Sequence, residues 1–308
     1  MRLRLAAAAA AFVVLAALLV RPDRPAADVA AEVAGAGDAF VELDGMSVRY
    51  RREGRGPPLV LLHGTASSLD TWDGWAARLD DHFEVGRLDL PGFGLTGPDP
   101  AGRYRVADTV AFLERFRAAL GLGRLRLGGN SLGGQVAYEY ALTYPANVEK
   151  LVLIDPTGFR SATDPAITGV FRMAQTPGLH LATLLLTPRF VVRATMSEVY
   201  ADPARIPDAA VDRAYALLLR EGNRRAFVDR MNQRSDDRTA ELPHLSVPTL
   251  LLWGEEDRWI PADPHAERFR DAIPGARLVT FPDAGHVPME EAPEATAAEA
   301  LRFLREGA

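Results

Sequence analysis

Arg124-Leu125-Arg126-Leu127-Gly128-Gly129-Asn130-Ser131-Leu132-Gly133-Gly134 reads as a strand that runs into a tight turn and leaves it as a helix. Gly129-Asn130-Ser131-Leu132-Gly133 fits G-x-S-x-G, and the strand Leu125–Leu127 before it and the helical pattern Leu132–Tyr144 after it are the context that motif needs. A turn this sharp holds its central serine in a strained backbone conformation and leaves no room for side chains two residues before and two after, hence Gly129 and Gly133. Ser131 is then expected above the edge of a sheet, at the positive end of a helix.

Outward from this turn the chain alternates strand and helix. Pro58–Leu62 is a continuous apolar run, as expected for a strand buried on both faces. Val85–Leu90, Leu151–Ile154, Thr249–Trp253 and Leu278–Phe281 are further strand-like runs, and Val106–Leu120 and Ala295–Leu304 read as helices. Phe40–Leu43 and Ser47–Arg52 flank Asp44-Gly45, a hairpin signal. This pattern predicts an α/β fold with a mostly parallel sheet. Between Asp155 and Val247 the alternation stops, and the apolar stripe Val211, Tyr215, Leu218, Leu219 marks a helical insertion. The domain reading is therefore a core over 38–157 and 245–308, with a helical cap over 158–244.

A serine nucleophile needs a base, and the base needs an orienting carboxylate. Of six histidines, His286 follows Pro282-Asp283-Ala284-Gly285 just beyond the last strand, where a loop returns to the sheet edge that bears the serine. His63 ends a buried strand and reads as structural. Asp257, just after the strand Thr249–Trp253, is the expected acid, with Asp155, Glu255 and Glu256 as competitors. The oxyanion donors are expected to be the backbone N–H groups of Leu132 and Thr65, with Ala66 second to Thr65. Ser67, Ser68 and Thr71 read as turn or cap residues before a helix at Trp72. Asp89-Leu90-Pro91-Gly92-Phe93-Gly94 reads as a sharp turn, because it lacks both G-x-G-x-x-G and a lysine.

Leu62-His63-Gly64-Thr65, the Asp89–Gly94 loop, Gly129–Gly134, Trp253-Gly254-x-x-Asp257-x-x-x-Pro261 and Gly285-His286 together resemble the α/β-hydrolase superfamily, in its capped single-domain branch. The resemblance covers about 38 to 308. It implies an eight-stranded, mostly parallel sheet flanked by helices, a helical cap over a Ser131–His286–Asp257 triad, and no cofactor or metal. Ser131 stands where dehalogenases and epoxide hydrolases of the superfamily carry aspartate, so those reactions are not expected. Asn130-Ser131 resembles the meta-cleavage carbon–carbon hydrolases, but Val287 stands where they tend to carry tryptophan. Gly285-His286-Val287-Pro288 resembles the serine haloperoxidase and esterase group. The reading is a serine hydrolase of a small, ester-like molecule or lactone. The alternatives are carbon–carbon bond hydrolysis, which a cationic pocket of cap arginines would favour, and a non-catalytic membrane-tethered binding protein. Phe171, Met173, Leu184, Met196 and Tyr215 are the expected pocket residues of the cap.

Composition narrows the rest. In 308 residues, 48% hydrophobic and 25% charged residues exclude a disordered chain and a polytopic membrane protein. Cysteine is absent, which removes thiol catalysis, disulfides and thiolate metal sites. Of 35 Lys plus Arg only Lys150 is lysine, and it does not follow a glycine, so no Walker-type loop exists. A net charge of −6 gives no reason to expect nucleic acid as a partner. Leu5–Val20 is an uninterrupted apolar run after Arg2 and Arg4. Residues 1–24 thus read as a membrane anchor or export signal, with a membrane partner through residues 5–20 and the domain outside the cytoplasm. Residues 25–37, rich in Ala, Pro and Gly, read as a linker.

Overall fold

The computed structural model describes residues 19–159, 169–234 and 237–306. Eight strands form one sheet: β1 (Ala39–Leu43), β2 (Met46–Glu53), β3 (Pro58–Leu62), β4 (Glu84–Leu88), β5 (Leu125–Asn130), β6 (Val148–Ile154), β7 (Thr249–Gly254) and β8 (Arg277–Phe281). Their order is β1-β2-β4-β3-β5-β6-β7-β8. β1 and β2 form a hairpin whose turn residues Asp44 and Gly45 both have positive φ, the primed-turn geometry that Asp-Gly favours. β2 meets β4 antiparallel, and every pairing from β4 to β8 is parallel. β5 and β7 are buried along their whole length, Arg126 and Asn130 of β5 included.

The strands feed two cores by alternation. Leu59 and Leu61 face one side, with Val152, Leu250 and Leu252. Val60 and Leu62 face the other, with Leu127, Leu151 and Leu251. On the first side lie α2 (Asp73–Leu79) and α12 (Pro293–Arg305), where Trp75 Nε1 donates to Thr296 Oγ1 at 2.9 Å. On the second lie α3 (Val106–Ala119), α4 (Leu132–Thr143) and α10 (Ala262–Ala272). α11 (Pro288–Glu291) is a single turn after the loop of His286. Ser68 Oγ accepts from Asp70 N–H and starts the 3-10 turn Leu69–Trp72, which continues into α2.

The insertion between β6 and β7 is helical where described: α5 (Gly169–Gln175), α6 (His180–Leu185), α7 (Arg189–Val199), α8 (Asp208–Leu219) and α9 (Asn223–Asn232). Residues 25–37 differ from the expected linker. Ala26–Val33 is a helix, α1, whose Val29 is fully buried against Leu95, Ala216 and Leu217. The preceding residues are bolted to the cap as well: Arg24 N–H donates to Leu219 O, and Glu221 N–H to Arg24 O, at 2.7 and 2.8 Å. Of the expected anchor, residues 5–18 lie outside the described residues. Among the described residues no helix is long and apolar enough to cross a membrane.

Candidate active site

β5 ends at Asn130 and α4 begins at Leu132, so the turn is made by Ser131 alone, at φ 53° and ψ −117°. A Cβ on Gly129 would run into the Gly133 carbonyl, and one on Gly133 into the Leu62 carbonyl. The two glycines are therefore required by the close approach of the helix start to β3 and β5. Leu132, the first residue of α4, has no partner carbonyl in its own helix for its N–H. Thr65 and Ala66, after β3, line the same cavity as Ser131, and Ala66 has a positive φ of 58°.

His286 faces that cavity and is the one histidine lining it. Its Nδ1 lies 2.6 Å from Asp257 Oδ2, and both side chains are buried. Asp257 Oδ1 accepts the N–H groups of Trp259 (2.7 Å) and Ile260 (3.0 Å), an Asx-type turn that fixes the carboxylate. The neutral imidazole must then carry its proton on Nδ1 and leave Nε2 as the acceptor. Glu255 and Glu256 are exposed. Asp155, the other competitor, is fully buried at the end of β6, and its Oδ1 accepts Gly254 N–H at 3.0 Å. Burial first, then the charge of Asp257, pushes the Asp155 carboxyl well above the usual range. The imidazole is thus bonded to Asp257, with a carboxylate oxygen of Asp155 within 4.8 Å.

Three features were not legible from the motifs. Asn130 Nδ2 donates to His286 O at 2.9 Å and to Ile154 O at 3.2 Å, tying the serine turn to the histidine loop. His286 N–H donates to Val199 O at 2.7 Å, so the last residue of α7 holds the same loop from the cap. Trp259 lies beside the imidazole, with ring centroids 5.5 Å apart. Only the last had a local signal, its place two residues after Asp257.

His63 is structural, as read. It is fully buried, with Nδ1 2.7 Å from Gly64 O, while Leu90 N–H donates to Nε2 at 2.9 Å. These bonds join the loop after β3 to the loop after β4, and burial lowers its pKa to about 4. The Asp89–Gly94 segment is the sharp turn expected. Asp89 accepts the N–H groups of Leu69 and Leu95, and Gly92 N–H closes on Gly97 O at 2.6 Å.

The cavity holds about 170 Å³. Its apolar wall comes from Met196, Leu217, Leu218, Phe227 and Trp259, and its polar wall from Asp70, Thr71, Tyr200, Arg213 and Glu290. Of the cap residues expected to line it, Met196 does. Phe171 instead packs edge-to-face against Phe227 and Trp259 and is not among the lining residues. Leu184 and Tyr215 pack against the cores, and Met173 is not among the lining residues. Aromatic and long side chains on short cap helices serve the cap's own attachment first.

The family model for the alpha/beta hydrolase fold matches residues 57–293. The chain belongs to the α/β-hydrolase family. A pimeloyl-[acyl-carrier protein] methyl ester esterase of Nitrosomonas europaea is 33% identical over 259 residues, covering 80% of this chain and 96% of the relative. The dihydrolipoyllysine-residue acetyltransferase component of the acetoin cleaving system of Cupriavidus necator is 31% identical over 276 residues, covering 87% and 69%. Among solved structures, a membrane phospholipase A described as a bacterial virulence factor superposes with a TM-score of 0.74 at 30% identity, covering 98% of this chain and 95% of that one. This α/β hydrolase is an enzyme, and its matched region contains Ser131, Asp257 and His286.

Proposed function

We propose that this α/β hydrolase cleaves a carboxylic ester or lactone through a covalent acyl-enzyme on Ser131. The observation that carries the reading is a serine on a strained turn in one cavity with His286, whose Nδ1 is bonded to buried Asp257. Ser131 Oγ attacks the carbonyl carbon while His286 Nε2 takes the hydroxyl proton. The N–H groups of Leu132 and Thr65 receive the developing oxyanion. His286 then gives its proton to the departing alkoxide. A water molecule, deprotonated by His286, attacks the acyl carbon; collapse returns the proton to Ser131 and releases the acid. Asp257 holds the tautomer and balances the charge of the imidazolium. The similarity to an esterase and to a phospholipase supports an ester substrate, a membrane-derived one included. The apolar run Leu5–Val20 supports a domain held at a membrane or exported.

The cavity is close to the roughly 150 Å³ apolar void that admits benzene. An acyl group of about six heavy atoms therefore fits it. In a p-nitrophenyl series from acetate to decanoate, butyrate and hexanoate should be turned over fastest. Ser131→Ala should lower kcat by on the order of 10⁶. A rate equal in the variant would remove Ser131 from the chemistry. One observation favours a second reading, carbon–carbon hydrolysis of a dienoic keto acid: the cap arginine Arg213 lies in the cavity wall. Turnover of such an acid with none of any ester would select it.

A further inference from the structure

We propose that the cap face formed by Leu179, Leu181, Leu185, Leu186 and Phe190 docks on the surface of a lipid bilayer bearing anionic headgroups. Helix α6 is turned inside out for a helix in water. It buries Thr183, 4% exposed, and displays Leu181 at 54%. Phe190, at the start of α7, is 65% exposed. Seven large apolar side chains are exposed among the described residues, and five of them fall between Leu179 and Phe190. Clustering of this kind marks an interaction face, whereas single exposed apolar residues do not.

Two observations select a bilayer. The first is where the N-terminal run enters the fold. Arg21 N–H donates to Leu185 O at 2.8 Å, and Arg224 holds Arg21 O at 2.7 Å and Asp23 at 2.5 Å. Val20, itself exposed, is the last residue of the uninterrupted apolar run from Leu5. The point at which that run joins the domain is therefore fixed beside the patch. The second is charge. The protein carries −6 overall, yet Gly169–Arg193 contains no Asp or Glu and includes Arg172, Arg189 and Arg193. Residues 1–22 also lack acids and carry Arg2, Arg4 and Arg21. Arg189 and Arg193 pair with Asp208 and Asp212 of α8, so the match to an anionic lipid surface rests on the apolar side chains together with Arg172 and the arginines of residues 1–22. α7 contributes both Phe190 and, through Met196 and Val199, part of the cavity wall, so the docked face and the cavity share one helix.

Because the chain has no cysteine, one cysteine placed in the full-length protein gives a unique label. An environment-sensitive fluorophore on Leu185→Cys or Phe190→Cys should shift to the blue on vesicles of phosphatidylethanolamine with phosphatidylglycerol, and spin-labelled lipid should quench it. The same label on Arg302→Cys, on core helix α12, should do neither. In a Leu181→Glu/Phe190→Glu background the Leu185 label should lose its blue shift, while hydrolysis of a water-soluble ester stays at the parent rate. A label already apolar before lipid is added would mean that residues 5–18 cover the patch. A blue shift that needs high protein concentration and no lipid would mean a second copy does. Either result, or a label that stays aqueous on vesicles, overturns the proposal. Ester turnover is read separately, so failure of docking and failure of the hydrolase reading are distinguishable.

Discussion

Asp155 and Asp257 each place a carboxylate oxygen within 4.8 Å of the same His286 nitrogen, yet their environments differ. Asp257 Oδ1 accepts two backbone N–H groups, whereas Asp155 Oδ2 is buried without a hydrogen-bond partner among the described residues, and burial pushes the Asp155 carboxyl well above the usual range. Asp155→Asn supplies a neutral amide of the same shape, the form that burial favours, so its kcat should stay near that of the parent. Asp257→Asn presents a donor to the imidazole, enforces the wrong tautomer and should cost about 10⁴ in kcat. Equal losses in the two variants would sink this division of roles. His63 supplies a stability prediction of definite sign. Its pKa is about 4 in the fold against about 6.5 unfolded, with Arg230, Asp70 and Arg49 as the charges facing it. A depressed pKa means its contribution is complete above pH 6.5. It is lost as pH falls through the folded value, and amounts to about 3 kcal/mol. The difference in Tm between the parent and His63→Gln should therefore narrow from pH 6.5 towards pH 4. A difference that widens on acidification would contradict it.

At the scale of elements, all eight strands were legible because each carries its own evidence: short strand-like runs for the parallel strands, Asp44-Gly45 for the hairpin. α1 was not. Eight residues of Ala-rich sequence have little helical stability alone. What forms the helix is Val29 closing on Leu95, Ala216 and Leu217, contacts from parts of the chain that no local pattern links to it. The proposed triad was legible for a related reason. Gly129, Gly133 and Gly285 mark backbone that must pass close to other backbone, and that constraint is written at the site itself. The bonds of Asn130 to His286 O and of His286 N–H to Val199 O join distant segments, and nothing local announces them. A buried ion cluster binds β2 to the cavity wall in the same unannounced way. Arg49, fully buried on β2, meets Asp38 at 2.7 Å, Asp70 at 3.0 Å and Asp89 at 3.4 Å. Arg49→Met strands those carboxylates and should cost 3–5 kcal/mol in denaturant unfolding, by the magnitude of about that size seen when a buried pair is broken. A midpoint unchanged from the parent would show that Arg51 and Arg213, which also approach Asp70, suffice.

At the scale of the whole molecule, core and cap are joined by buried polar side chains as well as by apolar packing. Arg230 of α9 is buried without a carboxylate partner among the described residues; it donates to Tyr104 O and Pro91 O and lies over the rings of Phe93 and Tyr104. Burial lowers its pKa to about 10, so it remains charged at neutral pH. Asn223, also of α9, reaches Gly94 O at 3.0 Å. The cap thus grips the Asp89–Gly94 turn on one side and, through Val199, the loop of His286 on the other. That second grip sets a mechanical rule. A lid that hinges away from its core normally leaves the reactive groups where they were. Here lifting α7 would withdraw the carbonyl that accepts from the His286 backbone, and the proposed base would lose that hold in the same motion. On the proposed mechanism, substrate is expected to enter past side chains with the cap in place, and a transplanted cap would need a carbonyl at the place of Val199.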